Sequence, residues 1–168
     1  MTMPNGDPFG TMISEASAIE RYLQVLGLVE RLHRRLMDIV KDEFERRGIE
    51  ELTSAQALLL YNIGDRALSR SEITSRGHHL GHDVTSNVEL LTKTGYLRRD
   101  RRPEDRRLLH IALTPKGEQV RDIVADLFIK HAGMLNATDG PSSEDIETLG
   151  PPMRRLERFW TDVIRYRL

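Results

Sequence analysis

The run Leu91-Thr-Lys-Thr-Gly95-Tyr-Leu-Arg-Arg-Asp-Arg-Arg-Pro103-Glu-Asp105-Arg-Arg107-Leu-Leu-His-Ile-Ala-Leu113-Thr114-Pro-Lys-Gly117 changes its hydropathy period twice. Its first residues close a helix: Lys93 near the C-terminus favours the dipole, and Gly95 suits the left-handed cap that follows. Residues 96–101 and 108–114 then read as strands, and the charged stretch 102–107 between them as a hairpin tip. Thr114-Pro115 restarts a helix, with threonine as N-cap and proline at the first helical position.

The pattern extends outward on both sides. Upstream, Thr53-Ser-Ala-Gln56 and Ser69-Arg-Ser-Glu72 are capping boxes, in which the hydroxyl accepts from a helix amide while the N3 side chain reaches back. The first opens a helix through Ala57, Leu58, Leu60, Tyr61 and Ile63, ended by Gly64. The second opens a short helix ending near Gly77. A third helix is expected over residues 81–94, with Val84, Val88 and Leu91 turned inward. A further box, Ser17-Ala-Ile-Glu20, opens a helix of about 30 residues that runs to Gly48. Its stripe is Ile19, Tyr22, Leu23, Leu26, Val29, Leu32, Leu36, Ile39, Val40 and Phe44. Downstream, Val120, Ile123, Val124, Leu127 and Phe128 continue the helix begun at Pro115 to about Leu135. Ser142 caps a last helical region, which Gly150-Pro151-Pro152 is expected to interrupt or kink. Met153, Leu156, Phe159, Trp160, Val163 and Ile164 then resume the stripe.

Three short helices followed by a hairpin, between long helices, are the layout of a winged helix–turn–helix dimer. The fold class is therefore mainly α with a small β wing. Residues 1–12, with Pro4, Gly6, Pro8 and Gly10, read as a flexible arm. Residues 13–48 and 115–168 form a helical dimerisation region, and residues 49–114 the DNA-binding lobe, in one compact chain without separate domains. The long stripes need a cover, and a second copy supplies it through Leu23, Leu26, Phe159, Trp160 and Ile164.

Composition narrows the function. The 168 residues hold 25 Lys and Arg against 26 Asp and Glu, so overall charge names no partner, and there is no cysteine. That excludes a disulfide scaffold, thiolate zinc sites, iron–sulfur clusters and thiol redox sensing. No apolar run reaches the ~18 residues of a membrane span, and the N-terminus lacks the basic and apolar regions of a signal peptide, so a cytoplasmic location is expected. No Gly-x-Ser-x-Gly, phosphate-cradling glycine loop or His-Glu-x-x-His is present, and no enzyme is expected. Charge is nevertheless concentrated. Between Lys93 and Arg107 seven basic residues face three acids, a local excess of four in a chain of net charge −1. Duplex DNA favours such an edge, because each neutralised phosphate releases condensed counterions.

The quoted run resembles the signature of the multiple-antibiotic-resistance regulator (MarR) family. The matching elements are Leu-x-x-x-Gly at Leu91 and Gly95, the arginine-rich first strand, Asp-x-Arg at Asp105 and Arg107, and Leu-Thr-x-x-Gly at Leu113, Thr114 and Gly117. The helix order extends the similarity over roughly residues 17–168. The resemblance implies a bacterial winged-helix homodimer that binds palindromic double-stranded operators, usually as a repressor released by a small molecule, without a cofactor. It also implies that Arg107 enters the minor groove with Asp105 as its brace. A guanidinium there reads groove width and potential more than base identity. Arg102 and Arg106 are expected on phosphates.

With residues 81–94 as the recognition helix, Thr85, Ser86 and Glu89 face outward, and His82 and Asn87 lie at the margin. Small hydroxyls and an amide can hydrogen-bond base edges or phosphates; Glu89 is set aside because its carboxylate repels phosphate. Ser69 and Ser71 are candidate phosphate contacts, Ser69 alternatively a cap alone. His33, Met37 and Tyr61 read either as core or as the lining of an effector crevice, and the family analogy points to an anionic aromatic ligand there. His78, His79 and His82 read as a turn rather than a zinc site, and no metal is expected. Two rivals remain: a winged-helix protein-interaction module without DNA binding, and a metal-dependent regulator.

Overall fold

The structure is a computed structural model that describes residues 8–69, 72–73, 84–100, 110–135 and 137–167, with side chains from residue 17 onward. The elements in chain order are α1 (Pro8–Arg46), α2 (Ser54–Ile63), β1 (Leu68–Ser69), α3 (Val84–Lys93), β2 (Leu97–Asp100), β3 (His110–Leu113), α4 (Pro115–Leu135) and α5 (Ser143–Tyr166). The chain divides into two compact units, Met1–Arg121 and Asp122–Leu168. The mainly helical class with a small β wing is thus the observed one. Among the described residues no helix is long and apolar enough to cross a membrane.

In the first unit, α2 is apolar on every side and becomes the core. Ala57, Leu58, Leu59, Leu60 and Ile63 are all buried, around them Val40 and Phe44 of α1, Val84 and Leu91 of α3, and Ile111 and Leu113 of β3. Thr53 caps α2 as the sequence predicts: its hydroxyl accepts from the Gln56 amide at 3.2 Å, and the Gln56 carboxamide oxygen accepts from the Thr53 amide at 3.0 Å. The α1 stripe is buried only towards its end, leaving Ile19, Tyr22, Leu23 and Leu32 exposed. There Glu43, itself buried, holds Arg46 and Arg47, the latter at 2.7 Å.

Two local expectations need correction. The helix expected from Ser17 starts at Pro8 and runs straight through that capping box. Proline suits the first helical position, and nothing after it stops the helix. Mid-helix amides are already bound to carbonyls one turn back, so the Ser17 hydroxyl instead accepts from the Arg21 guanidinium at 2.6 Å. In the second unit, α5 passes unbroken through Pro151 and Pro152. The prolines deprive the carbonyls of Glu147 and Thr148 of helical donors, but both residues are exposed, where water serves. Gly150, before the first ring, brings no Cβ to crowd it. Upstream, Ser142 caps this helix: its hydroxyl accepts from the Asp145 amide at 3.1 Å, and the Asp145 carboxylate accepts from the Ser142 amide at 2.8 Å.

The sheet is antiparallel in the order β1-β3-β2, one strand more than the predicted hairpin. Leu97 pairs with Leu113 and Asp100 with His110, while Leu68 pairs with Ile111 and Ser69 with His110. The start of β2 is locked to the start of α4. The Thr114 amide donates to the Tyr96 carbonyl at 3.1 Å, and the Thr114 hydroxyl donates to the Gly95 carbonyl at 2.6 Å while accepting from the Gly117 amide at 3.2 Å. Gly95 sits at φ +80°, the conformation that lets the chain leave α3 and enter the strand. At Gly117 the backbone approach is closer still: a Cβ there would lie 2.2 Å from the Tyr96 carbonyl oxygen.

Alanine normally stabilises a helix interior by about 0.8–1 kcal/mol relative to glycine. Gly117→Ala is expected to do the reverse, destabilising the protein by about 1–3 kcal/mol or more because the obstacle is backbone. Gly133→Ala, in the same helix with nothing within 4 Å of the new Cβ, is expected to give the ordinary gain. Denaturant unfolding of the two variants checks the opposite signs; equal gains would mean that the close approach is not a constraint.

Candidate nucleic-acid interface

The interface candidate is built on α3. Val84 and Leu91 are buried, Val88 and Thr92 half-buried, and these fix the inward face. The side turned to solvent carries Ser86, Glu89, Leu90 and Lys93. Ser86 and Glu89 thus lie outward as the sequence predicts. Thr85 is half-buried at the edge of this face. Asn87 is half-buried on the opposite margin, where its amide oxygen accepts from the Gln56 Nε2 at 2.9 Å. The same Gln56 side chain closes the α2 capping box, so one carboxamide joins the start of α2 to the middle of α3. Gln56 is buried, and an orienting tie between helices is what such a buried, satisfied amide provides.

The neighbouring strand adds charge. Arg98 and Arg99 on β2 are exposed. Arg98 donates through Nε to the Leu113 carbonyl at 3.2 Å and faces the Asp100 carboxylate at 3.5 Å, which holds its guanidinium along the strand. Ser69 is engaged locally: its amide and hydroxyl both donate to the Glu72 carboxylate at 2.7 Å, and its oxygen accepts from the Glu72 amide at 3.3 Å. It also pairs in β1, a double duty as strand residue and cap. Ser71, His82, Arg102, Asp105, Arg106 and Arg107 lie outside the described residues, as do His78 and His79.

Beneath the α3 end is a cluster that sequence reading missed. The Tyr96 ring is buried, its hydroxyl donates to the Glu51 carboxylate at 2.9 Å, and the Lys116 ammonium stands 3.9 Å from the ring centroid. Burial, and then the bond to Glu51, push the phenol above its ordinary pKa. The Glu51 backbone amide, followed by the Tyr96 hydroxyl, holds that carboxyl below its usual range. Residues 51, 96 and 116 are too far apart in the chain for any local pattern to link them. Leu90 was also missed, although the helical spacing of Val84, Val88 and Leu91 already turns position 90 outward, beside Ser86.

Of the residues expected around an effector, His33 is exposed on α1, whereas Met37 and Tyr61 are half-buried. None of them lines the cleft of about 660 Å³ that opens at the end of α1, between Val40, Phe44, Ile49, Leu52 and Thr53. The Ser54 hydroxyl at its edge donates to the Met37 carbonyl at 2.9 Å. Leu23, Phe159 and Ile164 are exposed, and Leu26 and Trp160 are half-buried. Among the described residues no three His, Asp or Glu side chains stand together as a metal site.

A helix tied to α2 through Gln56, ended by a glycine turn and followed by two strands of a three-stranded antiparallel sheet, defines a winged helix–turn–helix protein. Residues 51–108 match the family model described as MarR family. The chain is similar to the exopolysaccharide II synthesis transcriptional activator ExpG of Rhizobium meliloti, 28% identical over 145 residues, covering 86% of this chain and 74% of that protein. It is similar also to the transcriptional repressor YetL of Bacillus subtilis, 24% identical over 147 residues and 86% of each chain. Streptococcus pneumoniae FabT, solved in complex with DNA, shares the fold with a TM-score of 0.60 at 23% identity, over 84% of this chain and 99% of that one. The likeness to the MarR family of transcriptional regulators thus lies over residues 51–108, and the relatives named are transcriptional regulators, not enzymes.

The Tyr96 cluster has a pH signature. A phenol whose folded pKa is raised contributes stability that is complete below the unfolded value, about 10, and lost as pH rises through the folded one. Tyr96→Phe is expected to cost about 0.5–1.5 kcal/mol at neutral pH and to flatten the alkaline decline of stability. Unfolding free energies of both proteins from pH 7 to 11 check this; parallel curves would mean that the phenol is not held neutral by its site.

Proposed function

We propose that this protein is a homodimer that binds palindromic double-stranded DNA sequence-specifically, acts as a repressor in the cytoplasm, and is released by a small-molecule effector. The observation that carries the DNA reading is α3: a helix whose inner face is tied by Gln56 and Leu91, and whose outer face offers Ser86 and Lys93 beside Arg98 and Arg99. Such a helix suits the major groove, where small polar side chains reach base edges. The basic strand leads into Arg102, Arg106 and Arg107, proposed for phosphates and the minor groove with Asp105 as brace. Thr85, Asn87 and His82 are proposed at the rim of the helix contact, and Ser69 and Ser71 at a phosphate.

The dimer reading is supported by apolar side chains that one chain leaves open. Ile19, Leu23 and Leu32 on α1, and Phe159 and Ile164 on α5, are all more than half exposed. Covering them at about 25 cal/mol per Å² favours association, with Leu26 and Trp160 in the same faces. Repression needs only occupancy of a promoter, which is why it is adopted although the relatives include an activator and a repressor. For the effector, the cleft at the end of α1 falls in the size range of small-molecule sites, about 300–1,000 Å³. Thr53 in its wall is bonded to Gln56, which is bonded to Asn87 of α3, so a ligand that shifts Thr53 would be felt at the recognition helix. His33, Met37 and Tyr61, which lie outside that cleft, are proposed as the lining of an alternative effector crevice for an anionic aromatic ligand. A coupling of about 1–3 kcal/mol would change operator affinity about 5–150-fold.

Selection of bound duplexes from a random library is the test. A palindrome with half-site centres about 10 bp apart is expected, and inserting ~5 bp between half-sites should abolish tight binding. Enrichment of no sequence at low salt would overturn the reading. On the selected duplex, Arg107→Ala is expected to weaken binding by about 1–3 kcal/mol and lower the salt slope by about one unit. An unchanged slope would remove the wing arginine from the interface.

A further inference from the structure

Leu90 stands 48% exposed on the outward face of α3 where its last turn begins, one turn after Ser86. A single exposed leucine elsewhere on a protein needs no reason. This one occupies the strip of helix that the DNA-binding reading places against base edges, and the inference rests on that reading. We infer that Leu90 is a specificity-determining residue that reads the C5-methyl group of a thymine in each half-site.

The chemistry is restrictive. The floor of the major groove consists of hydrogen-bond donors and acceptors, and its one apolar projection is the thymine methyl. When α3 enters the groove, Leu90 is removed from water whatever lies opposite. Against a thymine methyl both groups lose apolar exposure, which is favourable. Against the N4 amino group of cytosine, or the O6 and N7 acceptors of guanine, a leucine strips water from polar atoms and returns no hydrogen bond. The same side chain therefore rewards thymine and penalises its alternatives. Its backbone is well held. The Thr94 hydroxyl donates to the Leu90 carbonyl at 2.9 Å, and the Thr94 amide donates to it at 2.8 Å, so the last turn of α3 does not fray at this residue. Leu91, next to it, is buried and sets the rotation of the helix.

Deoxyuridine differs from thymidine only by that methyl, which makes the test direct. The duplex enriched by wild-type protein is remade with each thymine replaced in turn by deoxyuridine, at matched positions in the two half-sites. For wild-type protein one replacement is expected to weaken binding about fourfold per half-site, the equivalent of roughly 0.8 kcal/mol for a methyl-sized group. Leu90→Ala is expected to bind the thymine duplex more weakly by a similar factor and to be insensitive to the same replacement. Its thermal unfolding should match wild type, because the side chain contributes little to the core. The same uracil profile in both proteins, or no uracil-sensitive thymine for wild type, would overturn the assignment while leaving DNA binding intact. Failure to enrich any duplex would overturn the DNA-binding reading itself, and the role of Leu90 with it.

Discussion

Four elements of the first unit meet where the backbone of Gly117 lies against the Tyr96 carbonyl. The end of α3, the start of β2, the end of β3 and the start of α4 are brought together there, and a side chain at position 117 would hold them apart. Thr114 closes the junction from the other side, bonded to the carbonyls of both Gly95 and Tyr96. The consequence reaches the interface. The direction in which α3 leaves the sheet is set by backbone contacts within a few residues of its last turn, so its outward face keeps one orientation relative to the basic strand.

A second tie works from below. Gln56 is a buried polar residue in an apolar lobe, and its carboxamide serves both the α2 cap and Asn87. A hydrogen bond of this kind adds only about 0.5–1.5 kcal/mol to stability. Its larger effect is on register, since rotating or sliding α3 would take from the Gln56 Nε2 its acceptor on Asn87. Together with the Tyr96 cluster, it holds α3 by its middle and its end. The residues at its open side then need no structural role, and Ser86, Leu90 and Lys93 remain available to a partner.

Much of the fold was legible because helix caps and turns act between neighbours. Thr53 with Gln56, Ser142 with Asp145, and Ser69 with Glu72 each form the box that their spacing announces. The same rule misled at Ser17, where nothing before the box ends the preceding helix. At Pro151 and Pro152 the expected interruption does not occur, because exposed carbonyls let the helix continue. Strand β1 has two residues, too few to show alternation, and exists because β3 offers an edge to Leu68 and Ser69. In the candidate site, the outward placement of Ser86 could be read from the spacing of Val84, Val88 and Leu91. The inward tie of Asn87 could not, since it depends on a glutamine 31 positions away.

By itself, then, the sequence determined the order of the helices and of the two hairpin strands, the glycine turn after α3, and the charged edge that follows it. Each is written in residues within one or two turns of one another, where hydrogen bonds and dihedral preferences act directly. Only the tertiary structure decided which face of α3 stays open, why position 117 must lack a side chain, and how Tyr96 is joined to Glu51 across 45 positions. Those depend on surfaces that meet after the chain has folded back on itself, and no local periodicity records which surfaces will meet.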